Sequence, residues 1–419
     1  MIKRIKGTQD ISFDDLKYWY FIEDAIKKVT NLFCFREIRT PIFEATELFK
    51  RTVGESTDVV QKEMYTFEDK GNRSITLRPE GTAPVARAFL ENGFINLGTP
   101  LKLFYFGSMF RYERPQAGRL REFHQFGAEI IGSKDYLADF EIIEIAIEFL
   151  NELRINDYKI FINSIGCKNC RKDYINALKE YYSDKVDDLC DDCKRRYETN
   201  ILRLLDCKKD REVAKNAPSI LDYLCDECKE DFEKLKGLLE KRNIEFNVDP
   251  NLVRGLDYYS KTAFEFRSEK LGGQDQILGG GRYDGLMQYI GNKSVPAVGF
   301  ACGVERIIIL LKELDHGIET NNNPKVAILP FGDEEASKAF EYAERLRRRN
   351  IETYVDVVNR NMKSKLKNAD RLGVKLSVII GEDEIKNNIL SVKQMGDGSQ
   401  FKVEESWMDH IIEDKLKDI

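Results

Sequence analysis

Residues 101–132 read LKLFYFGSMFRYERPQAGRLREFHQFGAEIIG, a stretch with the composition of β-structure. Two runs rich in aromatic and apolar residues, LKLFYFGSMFRYE and EFHQFGAEIIG, have the composition of β-strands. The loop between them carries Arg114, Arg119 and Arg121. The stretch therefore predicts two strands joined by a cationic loop, which either closes over a polyanion or carries ordinary solvated charges.

The same kind of short strand recurs on both sides of this stretch. Residues 14–33 and 135–153 have apolar residues at helical spacing, and residues 296–314 pass from small residues into an apolar helix. Together these elements predict an α+β domain, in which a sheet with few helices of its own is flanked by helices. The further strand candidates are FREIRTP, MYTFED, SITLRP, Tyr158–Ile162, Glu245–Asp249 and Thr262–Arg267.

Two other regions differ from this α+β pattern. A charged, cysteine-rich block at 166–242 has helical character and looks inserted, because strand-like segments resume after it. A linker at 317–324 precedes 325–419, where strands and helices alternate as in a separate α/β domain. We therefore expect one domain built from 1–165 and 243–316, with the block inserted into it.

The composition of the whole chain limits its class. Its 419 residues suffice for two or three domains. The 66 bases and 72 acids leave a net charge of -6, which excludes a globally basic nucleic-acid coat but not a local basic patch. No apolar run approaches the roughly 18 residues of a membrane span, and the N-terminus carries no hydrophobic signal segment. We therefore expect a cytoplasmic protein without a membrane span, whose cysteines are reduced.

Three arginines stand in sequence contexts that suit an anion site. Arg111 alternates with aromatic residues in a strand, Arg254 lies in LVRGLDYY, and Arg306 lies in the first turn of the apolar helix. Guanidinium groups bind oxyanions in a bidentate way, and a cluster of them is costly unless an anion such as a triphosphate compensates it. A structural salt-bridge network is the alternative. The chain has neither a P-loop nor a GxGxxG fingerprint, so a nucleotide would need another kind of site.

At these residues the chain resembles a known family, the bacterial type of histidyl-tRNA synthetase, which is a class II aminoacyl-tRNA synthetase. The resemblance extends over nearly the whole length, and LVRGLDYY is its most specific part. The matching segments are KGTQD near the start, FREIRTPIFEATELF (35–49), LRPEGTAPVAR (77–87), MFRYERPQAGRLREFHQFGAE (109–129), LVRGLDYYSKTAFEF (252–266) and PAVGFACGVERI (296–307).

The resemblance implies a catalytic domain with the class II antiparallel sheet and an ATP site on it. Arg111 would bind the α-phosphate, Arg306 the γ-phosphate, and Arg254 would stabilise charge at the α-phosphate while the histidine carboxylate attacks in line. Mg²⁺ would bridge other phosphate oxygens. Such an enzyme activates L-histidine with ATP and transfers it to the 3′ adenosine of its tRNA.

The resemblance also implies a histidine pocket and the partners of the enzyme. Motif 1, which corresponds to the segment FREIRTPIFEATELF (35–49), would form a homodimer interface. Arg114 and Gln116 would read the extra 5′ guanosine of the tRNA acceptor end, and the C-terminal domain would bind the anticodon. Residues 343–371 hold nine bases against four acids and could contact phosphates, although a solvated helix face is the alternative. The implied pocket residues are Glu80, Gly81, Thr82, Arg111, Gln125, Glu129, Arg254, Tyr258 and Tyr259.

Two other functions fit parts of the sequence. A regulatory subunit of ATP phosphoribosyltransferase shares the synthetase-like domain, but such paralogues usually lose the C-terminal domain and the catalytic arginines. A tRNA-binding interaction protein would not need a complete histidine pocket. Because the chain keeps all of these features, we expect the ligase.

The cysteines of the inserted block are a candidate zinc site. They form the pairs Cys167-x-x-Cys170, Cys190-x-x-Cys193 and Cys225-x-x-Cys228, with Cys207 left alone. Paired CxxC knuckles in a reducing compartment indicate zinc, and the spacing between the first two pairs suits a single ion. One tetrahedral ion takes two of the three pairs, so the pattern leaves structural zinc and free thiols as alternatives.

Overall fold

The computed structural model of the chain describes residues 1–55, 57–314, 317–318 and 323–418. It contains two compact units, Met1–Ile318 and Glu319–Ile419. The linker expected at 317–324 lies partly outside the described residues. The α+β class with flanking helices, expected for the first unit, agrees with the structure.

The helices and strands of the described residues are as follows. The helices are α1 Phe13–Leu32, α2 Thr46–Val53, α3 Thr82–Glu91, α4 Tyr136–Glu152, α5 Lys168–Tyr182, α6 Asp191–Thr199, α7 Arg211–Ala214, α8 Asp226–Lys241, α9 Leu286–Gly291, α10 Val304–Glu313, α11 Asp333–Arg348, α12 Met362–Arg371, α13 Glu382–Asn387 and α14 Met408–Lys417. The strands are β1 Arg36–Glu37, β2 Phe43–Ala45, β3 Thr66–Glu68, β4 Ser74–Leu77, β5 Leu101–Phe110, β6 Glu122–Ile131, β7 Lys159–Ser164, β8 Asn247–Val248, β9 Ser260–Arg267, β10 Gln276–Arg282, β11 Ala297–Gly303, β12 Val326–Pro330, β13 Thr353–Val355, β14 Leu376–Ile380, β15 Ile389–Gln394 and β16 Gln400–Glu404.

The first unit is built on an eight-stranded sheet. Its strand order is β1-β5-β6-β11-β10-β9-β7-β8. All pairs are antiparallel except the two outermost, β1 with β5 and β7 with β8. β5 and β6 are the two strands of the opening sequence stretch, and they pair from Leu101 opposite Ile131 to Phe110 opposite Glu122.

Both faces of this sheet are covered, and residue alternation decides what each face carries. In β6, Phe126, Ala128 and Ile130 point into a core shared with α1, α4 and α10. The intervening residues point to the opposite face, because side chains of a strand alternate with a period of two. That face therefore carries Gln125 and Glu129 of the same strand, and it is the face on which the candidate site lies.

Most of the inserted block packs against this second face, whereas its last helix, α8, packs into the core of the first face. Its helix α5 contributes Tyr174 and Leu178 to a core that also contains Val85 and Phe89 of α3. Burial of these large side chains fixes the block to the rest of the first unit.

Two helices, α2 and α3, lie in the region where the sequence indicated a sheet with few helices. The strands β2, β4 and β3 form a separate small sheet beside them. α3 begins directly after the Pro-Glu-Gly turn. Because such a turn is typical of the end of a strand, the sequence pattern did not indicate that a helix begins there. Its buried residues Ala83, Val85, Ala86 and Phe89 have the spacing of an amphipathic helix.

The second unit is a five-stranded mixed sheet with helices against it. The strand order is β13-β12-β14-β15-β16, with β12 parallel to β13 and β14 and the later pairs antiparallel. The strands β12 and β14 are buried along their whole length. This matches the alternation of strands and helices expected for 325–419.

Candidate active site

A cleft of about 1310 Å³ lies over the second face of the main sheet. It brings together side chains from α3, the β5–β6 hairpin, the segment before β9, and α10, which are far apart in the sequence. The sequence-predicted residues that line it are Glu80, Thr82, Arg111, Gln125, Arg254, Tyr258, Tyr259 and Arg306.

Backbone carbonyl groups hold two of the three arginines. Nε of Arg111 donates to the Pro79 carbonyl at 2.9 Å, and the guanidinium lies 5.4 Å from the centre of the Phe123 ring. Nη1 of Arg306 donates to the Gln276 carbonyl at 2.9 Å, and its Nε donates to Gly118 at 3.3 Å. A carbonyl orients a guanidinium without neutralising its charge.

Arg254 is held in a different way. Its Nη1 hydrogen-bonds Oε1 of Glu265, whose other oxygen accepts from Nε of Arg267 at 2.8 Å. Burial acts to lower the pKa of Arg254, but Glu265 outweighs it, so the pKa is raised and the side chain stays cationic. One carboxylate is thus shared between two guanidinium groups.

The cleft is electrostatically tuned for an anion. Burial lowers the pKa of Arg306, and the nearby cations Arg119 and Arg111 lower it further. Glu113 partly offsets this repulsion, because its Oε2 lies 2.5 Å from Nε of Arg119. Guanidinium groups that repel one another in a part-buried cleft are stabilised when a polyanion binds between them.

A buried acid lies beneath the arginines. Oε1 of Glu129 accepts from the Thr82 hydroxyl at 2.8 Å, and Oε2 accepts from Tyr283 at 2.5 Å. Burial raises the pKa of Glu129 to about 8, although both hydroxyl donors oppose the shift. The strand opposite has Gly299 at this point, where a β-carbon would lie 1.5 Å from Oε2 of Glu129. Only glycine leaves room for this carboxylate.

Glu80 serves both the cleft and a helix. Its two oxygens accept from the backbone N–H groups of Thr82 and Ala83, each at 2.8 Å, at the start of α3. Burial raises the pKa of Glu80, and these N–H groups oppose the shift. The Tyr258 hydroxyl lies 3.5 Å from the same carboxylate, and its ring packs 4.7 Å from that of Tyr259.

Gln125 supplies a neutral polar group to the cleft. Its Oε1 is buried and has no hydrogen-bond partner among the described residues. Because a buried acceptor without a partner is costly, this atom is suited to receive a hydrogen bond from a ligand.

The remaining predicted residues lie outside the lining of the cleft. Gly81 precedes α3, and a β-carbon there would overlap the Tyr105 ring. Arg114 and Gln116 are exposed in the β5–β6 loop. The backbones of Gln116 and Arg119 pair with each other, which closes a tight turn containing Gly118 at φ +68. The carbonyl of this glycine is the one that accepts from Arg306.

Sequence reasoning missed several groups that shape the cleft. Glu265 and Arg267 lie on the site face of β9, and the signal that could have found them is the alternation FEFR, in which Phe264 and Phe266 point to the core. Tyr283 follows β10 and carried no signal of its own. His124 is hydrogen-bonded within the fold, to Glu305 and Ser108, each at 3.0 Å.

Two carboxylates of the cleft are candidates to face a divalent cation. Burial raises the pKa of Glu63, and the adjacent Glu113 raises it further. Mg²⁺ commonly binds one or two carboxylates together with substrate phosphates. Both carboxylates line the cleft and are of the type that Mg²⁺ accepts, so their chemistry fits a magnesium ion carried by a nucleotide.

The cysteines of the inserted block form two clusters. Cys167, Cys170, Cys225 and Cys228 converge in one, and Cys190, Cys193, Cys207 and Asp210 converge in the other. This corrects the interpretation of the spacing, because the first CxxC pair joins the third and not the second. It also corrects the isolation of Cys207, which belongs with Asp210 to the cluster of the second pair.

The basic stretch of the second unit is largely occupied by partners within that unit. Arg345 and Arg349 both pair with Asp409, and Arg349 also binds Glu413 at 2.7 Å. Lys365 is buried and donates to the carbonyl of Pro330 at 2.7 Å. The count of nine bases therefore overstates the charge that this stretch offers to a ligand.

Comparison with known proteins gives a consistent result over the whole chain. Residues 7–307 match the family model for histidyl-tRNA synthetase, and residues 325–414 match that for an anticodon binding domain. The histidine–tRNA ligase of Thermosipho melanesiensis is 53% identical over 408 residues, which is 97% of either chain. That of Thermotoga maritima is 51% identical over 417 residues, 99% of either chain.

Solved structures agree with these relatives. The apo histidyl-tRNA synthetase of S. aureus superposes with a TM-score of 0.82 at 37% identity, over 98% of this chain and all of that one. A Bacillus halodurans structure described as an ATP phosphoribosyltransferase regulatory subunit/histidyl-tRNA synthetase gives 0.64 at 23% identity, over 88% of this chain and 96% of that one. At that identity the likeness is one of fold alone. No helix within the described residues is long and apolar enough to cross a membrane.

Proposed function

This chain belongs to the histidyl-tRNA synthetase family, and from that premise we propose that the arginine-lined cleft is its reaction centre. The chain is a histidine–tRNA ligase with a class II sheet and a C-terminal anticodon-binding domain. It activates L-histidine with ATP to histidyl-adenylate and pyrophosphate, and then transfers histidine to the 3′ adenosine of its tRNA. Full-length likeness to ligases favours this activity over that of a regulatory subunit.

The observation that carries the proposal is the convergence of Arg111, Arg254 and Arg306 on one cleft. We assign Arg111 and Arg254 to the α-phosphate of ATP and Arg306 to the γ-phosphate. A carboxylate oxygen of histidine attacks the α-phosphorus in line. A new P–O bond forms while the bond between the α-phosphorus and the leaving pyrophosphate breaks. Fixed guanidinium groups stabilise the charge that develops on the α-phosphate during this step.

Histidine binds beneath the phosphates in this proposal. Glu80 and Glu129 face its ammonium and ring N–H groups, Thr82 and Gln125 supply further hydrogen bonds, and Tyr258 and Tyr259 close over the ring. A pocket of buried polar groups rejects an apolar amino acid, because those groups would then lose their partners. Such discrimination is on the order of 10⁴.

Two further elements of the proposal are the metal ion of the nucleotide and the bounds of the catalytic domain. Mg²⁺ accompanies ATP, with Glu63 and Glu113 as the carboxylates that would face it, and it would neutralise charge on the phosphates. Residues 1–165 and 243–316 act as the catalytic domain around this site.

We also propose that the enzyme is a cytoplasmic homodimer. Support comes from apolar side chains left exposed on the motif 1 segment and the small sheet beside it, namely Ile42, Phe43 and Phe67. Contiguous exposed apolar groups of this kind mark interaction surfaces. Arg114 and Gln116, exposed at the tip of the β5–β6 loop, are our candidates for contact with the tRNA acceptor end.

The direct test is exchange of labelled pyrophosphate into ATP. The wild type should catalyse exchange when histidine is present and not when another amino acid replaces it. It should then charge its tRNA with labelled histidine. A complete lack of histidine-dependent exchange would refute the placement of adenylate formation in this cleft.

A further inference from the structure

The inserted block, residues 166–242, carries two groups of metal-binding side chains that the aminoacylation site does not use. In each group the four candidate ligand atoms lie within 4.8 Å of one another. All nine cysteines of the chain are free thiols in the structure. The clusters are therefore not disulfides, and four such groups around a common point call for a partner that they share.

The outer cluster joins the two ends of the block. Cys167 immediately precedes α5 and Cys225 immediately precedes α8, and each is followed by its CxxC partner in the first turn of the helix. Sγ of Cys167 lies 3.6 Å from Sγ of Cys170 and 4.0 Å from Sγ of Cys225. The N–H of Cys225 donates to Sγ of Cys170 at 3.2 Å, a contact that stabilises a thiolate.

The inner cluster lies entirely between the two halves of the outer one. Cys190 immediately precedes α6, Cys193 lies in its first turn, and the other two ligands form the short motif Cys207-Lys-Lys-Asp210. Sγ of Cys190 lies 3.7 Å from Sγ of Cys207, which lies 3.5 Å from Oδ2 of Asp210. The pattern is two knuckles in which an aspartate stands in the place of the fourth cysteine.

These spacings match tetrahedral zinc. With Zn–S of about 2.3 Å and Zn–O of about 2.0 Å, tetrahedral angles place two sulfurs about 3.8 Å apart and a sulfur and an oxygen about 3.5 Å apart. Three of the sulfur–sulfur separations are 3.6, 4.0 and 3.7 Å, the Cys207–Asp210 sulfur–oxygen separation is 3.5 Å, and all ligand atoms of a cluster lie within 4.8 Å of one another. Thiolate ligands select zinc over magnesium or calcium, and a carboxylate is an accepted fourth ligand.

The segment around the inner cluster is made of short elements that join the core of the second face through Leu189, Ile201, Leu204 and Leu205. It consists of α6, the four-residue α7 and short 3₁₀ turns at Val186–Asp188 and Ile201–Leu204. Short elements of this kind bury too little apolar surface to be stable alone, and a structural metal is a common remedy.

We infer that the inserted block binds two structural zinc ions, one held by four cysteines and one held by three cysteines and Asp210. The inner ion also fixes one wall of the cleft. Cys207 and Arg203, which lies four residues before it in the sequence, both line the cleft. The side chain of Asn200 donates to Oδ1 of Asp257 at 2.7 Å, and Arg196 pairs with Asp58 at 2.9 Å. The ion therefore holds the block against the segments that carry the substrate pocket.

The test is metal analysis of the full chain purified without added zinc. Elemental analysis should find two zinc ions per chain. Asp210→Ala should reduce this to one, and so should Cys225→Ser combined with Cys228→Ser. Asp206→Ala, which removes a nearby exposed carboxylate that is no ligand, and Cys34→Ser, which removes a thiol outside both clusters, should each retain two.

A rescue variant separates loss of a ligand from loss of the fold. Asp210→Cys completes a four-cysteine inner site and should restore two ions per chain. A wild type that folds with one zinc ion or none would overturn the inference, and so would an Asp210→Ala variant that keeps two. Because this readout is metal content, it is independent of whether the cleft makes histidyl-adenylate.

Discussion

Backbone carbonyls orient two of the cleft arginines in the first unit, although Arg111 also lies 3.8 Å from Glu113, whereas two arginines of the second unit share one aspartate. In the cleft of the first unit, Arg111 and Arg306 are oriented by backbone carbonyls, and Arg254 shares one carboxylate with Arg267. In the second unit, Arg345 and Arg349 both bind Asp409. Carbonyls leave the positive charge of a guanidinium available to a ligand, whereas carboxylates consume it.

The number of bases in a stretch therefore says little about anion binding. The stretch 343–371 is visibly rich in bases, yet several of them stabilise their own unit. The cleft arginines are scattered singly through an acidic chain, yet they converge. What matters is the partner of each guanidinium, which the following variants examine.

The largest effect is expected at Arg254. Arg254→Ala should lower kcat/KM for histidine-dependent pyrophosphate exchange by roughly 10²–10³-fold, the loss typical of removing one charge-stabilising donor. The fold should survive, because Glu265 keeps Arg267 as its partner. The matched control, Arg345→Ala in the second unit, should leave exchange unchanged. Equal losses in both variants would erase the distinction between the two units.

Arg306 should show a smaller loss of a different kind. Arg306→Ala should raise the KM for ATP roughly 10- to 100-fold, the cost of one charged hydrogen bond of about 1.5–3 kcal/mol. Arg349→Ala is the control and should leave that KM unaltered. If Arg306→Ala lowered kcat while KM for ATP stayed constant, its assignment to the γ-phosphate would be wrong.

Buried acids extend the comparison to pH. Burial raises the pKa of Glu129 from 4.5 to about 8. The folded chain therefore keeps this proton up to about pH 8, while the unfolded chain releases it near 4.5. Unfolding then releases a proton within this window, so stability falls as the pH rises through it.

Glu129→Gln removes this titration. We expect the unfolding free energy of the wild type, measured in urea without ligands, to fall between pH 5 and pH 8. The fall should exceed that of the Glu129→Gln variant by about 1 kcal/mol or more. The reference to the variant cancels the titration of other groups. Parallel curves would mean that Glu129 is ionised in the folded chain.

Asp409 should give the smallest effect and the opposite pH dependence. Burial acts to raise its pKa, but Arg345 and Arg349 outweigh it and hold the pKa below 3.8. Its contribution is present above this pH and is lost as the pH falls further. Asp409→Asn should therefore lower the unfolding free energy of the second unit by about 1 kcal/mol at pH 7, because the pair is part-exposed. An unchanged unfolding midpoint would show that these pairs add nothing to stability.

Much of the fold could be predicted from local patterns. β6 and the helices at 14–33 and 135–153 lie within one residue of the expected bounds, whereas β5 ends at Phe110, three residues before the end of the predicted run. α3 was missed because it starts behind a turn signal. The arrangement of the sheet came from resemblance, since strand order depends on contacts between distant segments that no local pattern records.

The candidate site divides in the same way. Its arginines and acids stand in recognisable motifs, but the motifs do not show how these groups are paired: Glu265 matters because of the face of β9 on which it lies, and Tyr283 because it follows β10 directly. The inner cluster shows most clearly how a local pattern can fail to reveal a site. Cys207-x-x-Asp210 has the spacing of a zinc knuckle, but a search for cysteine pairs passes over it because its last ligand is an acid.

The double use of Glu80 has a consequence for attempts to alter amino-acid specificity by directed evolution. Its carboxylate accepts hydrogen bonds from the first N–H groups of helix α3 and also lines the cleft. Substitutions at position 80 would therefore weaken the fold as well as change the pocket. Gln125 projects from the middle of a rigid strand, and its carbonyl oxygen has no partner among the described residues. A library should therefore keep codon 80 fixed and place its diversity at codon 125.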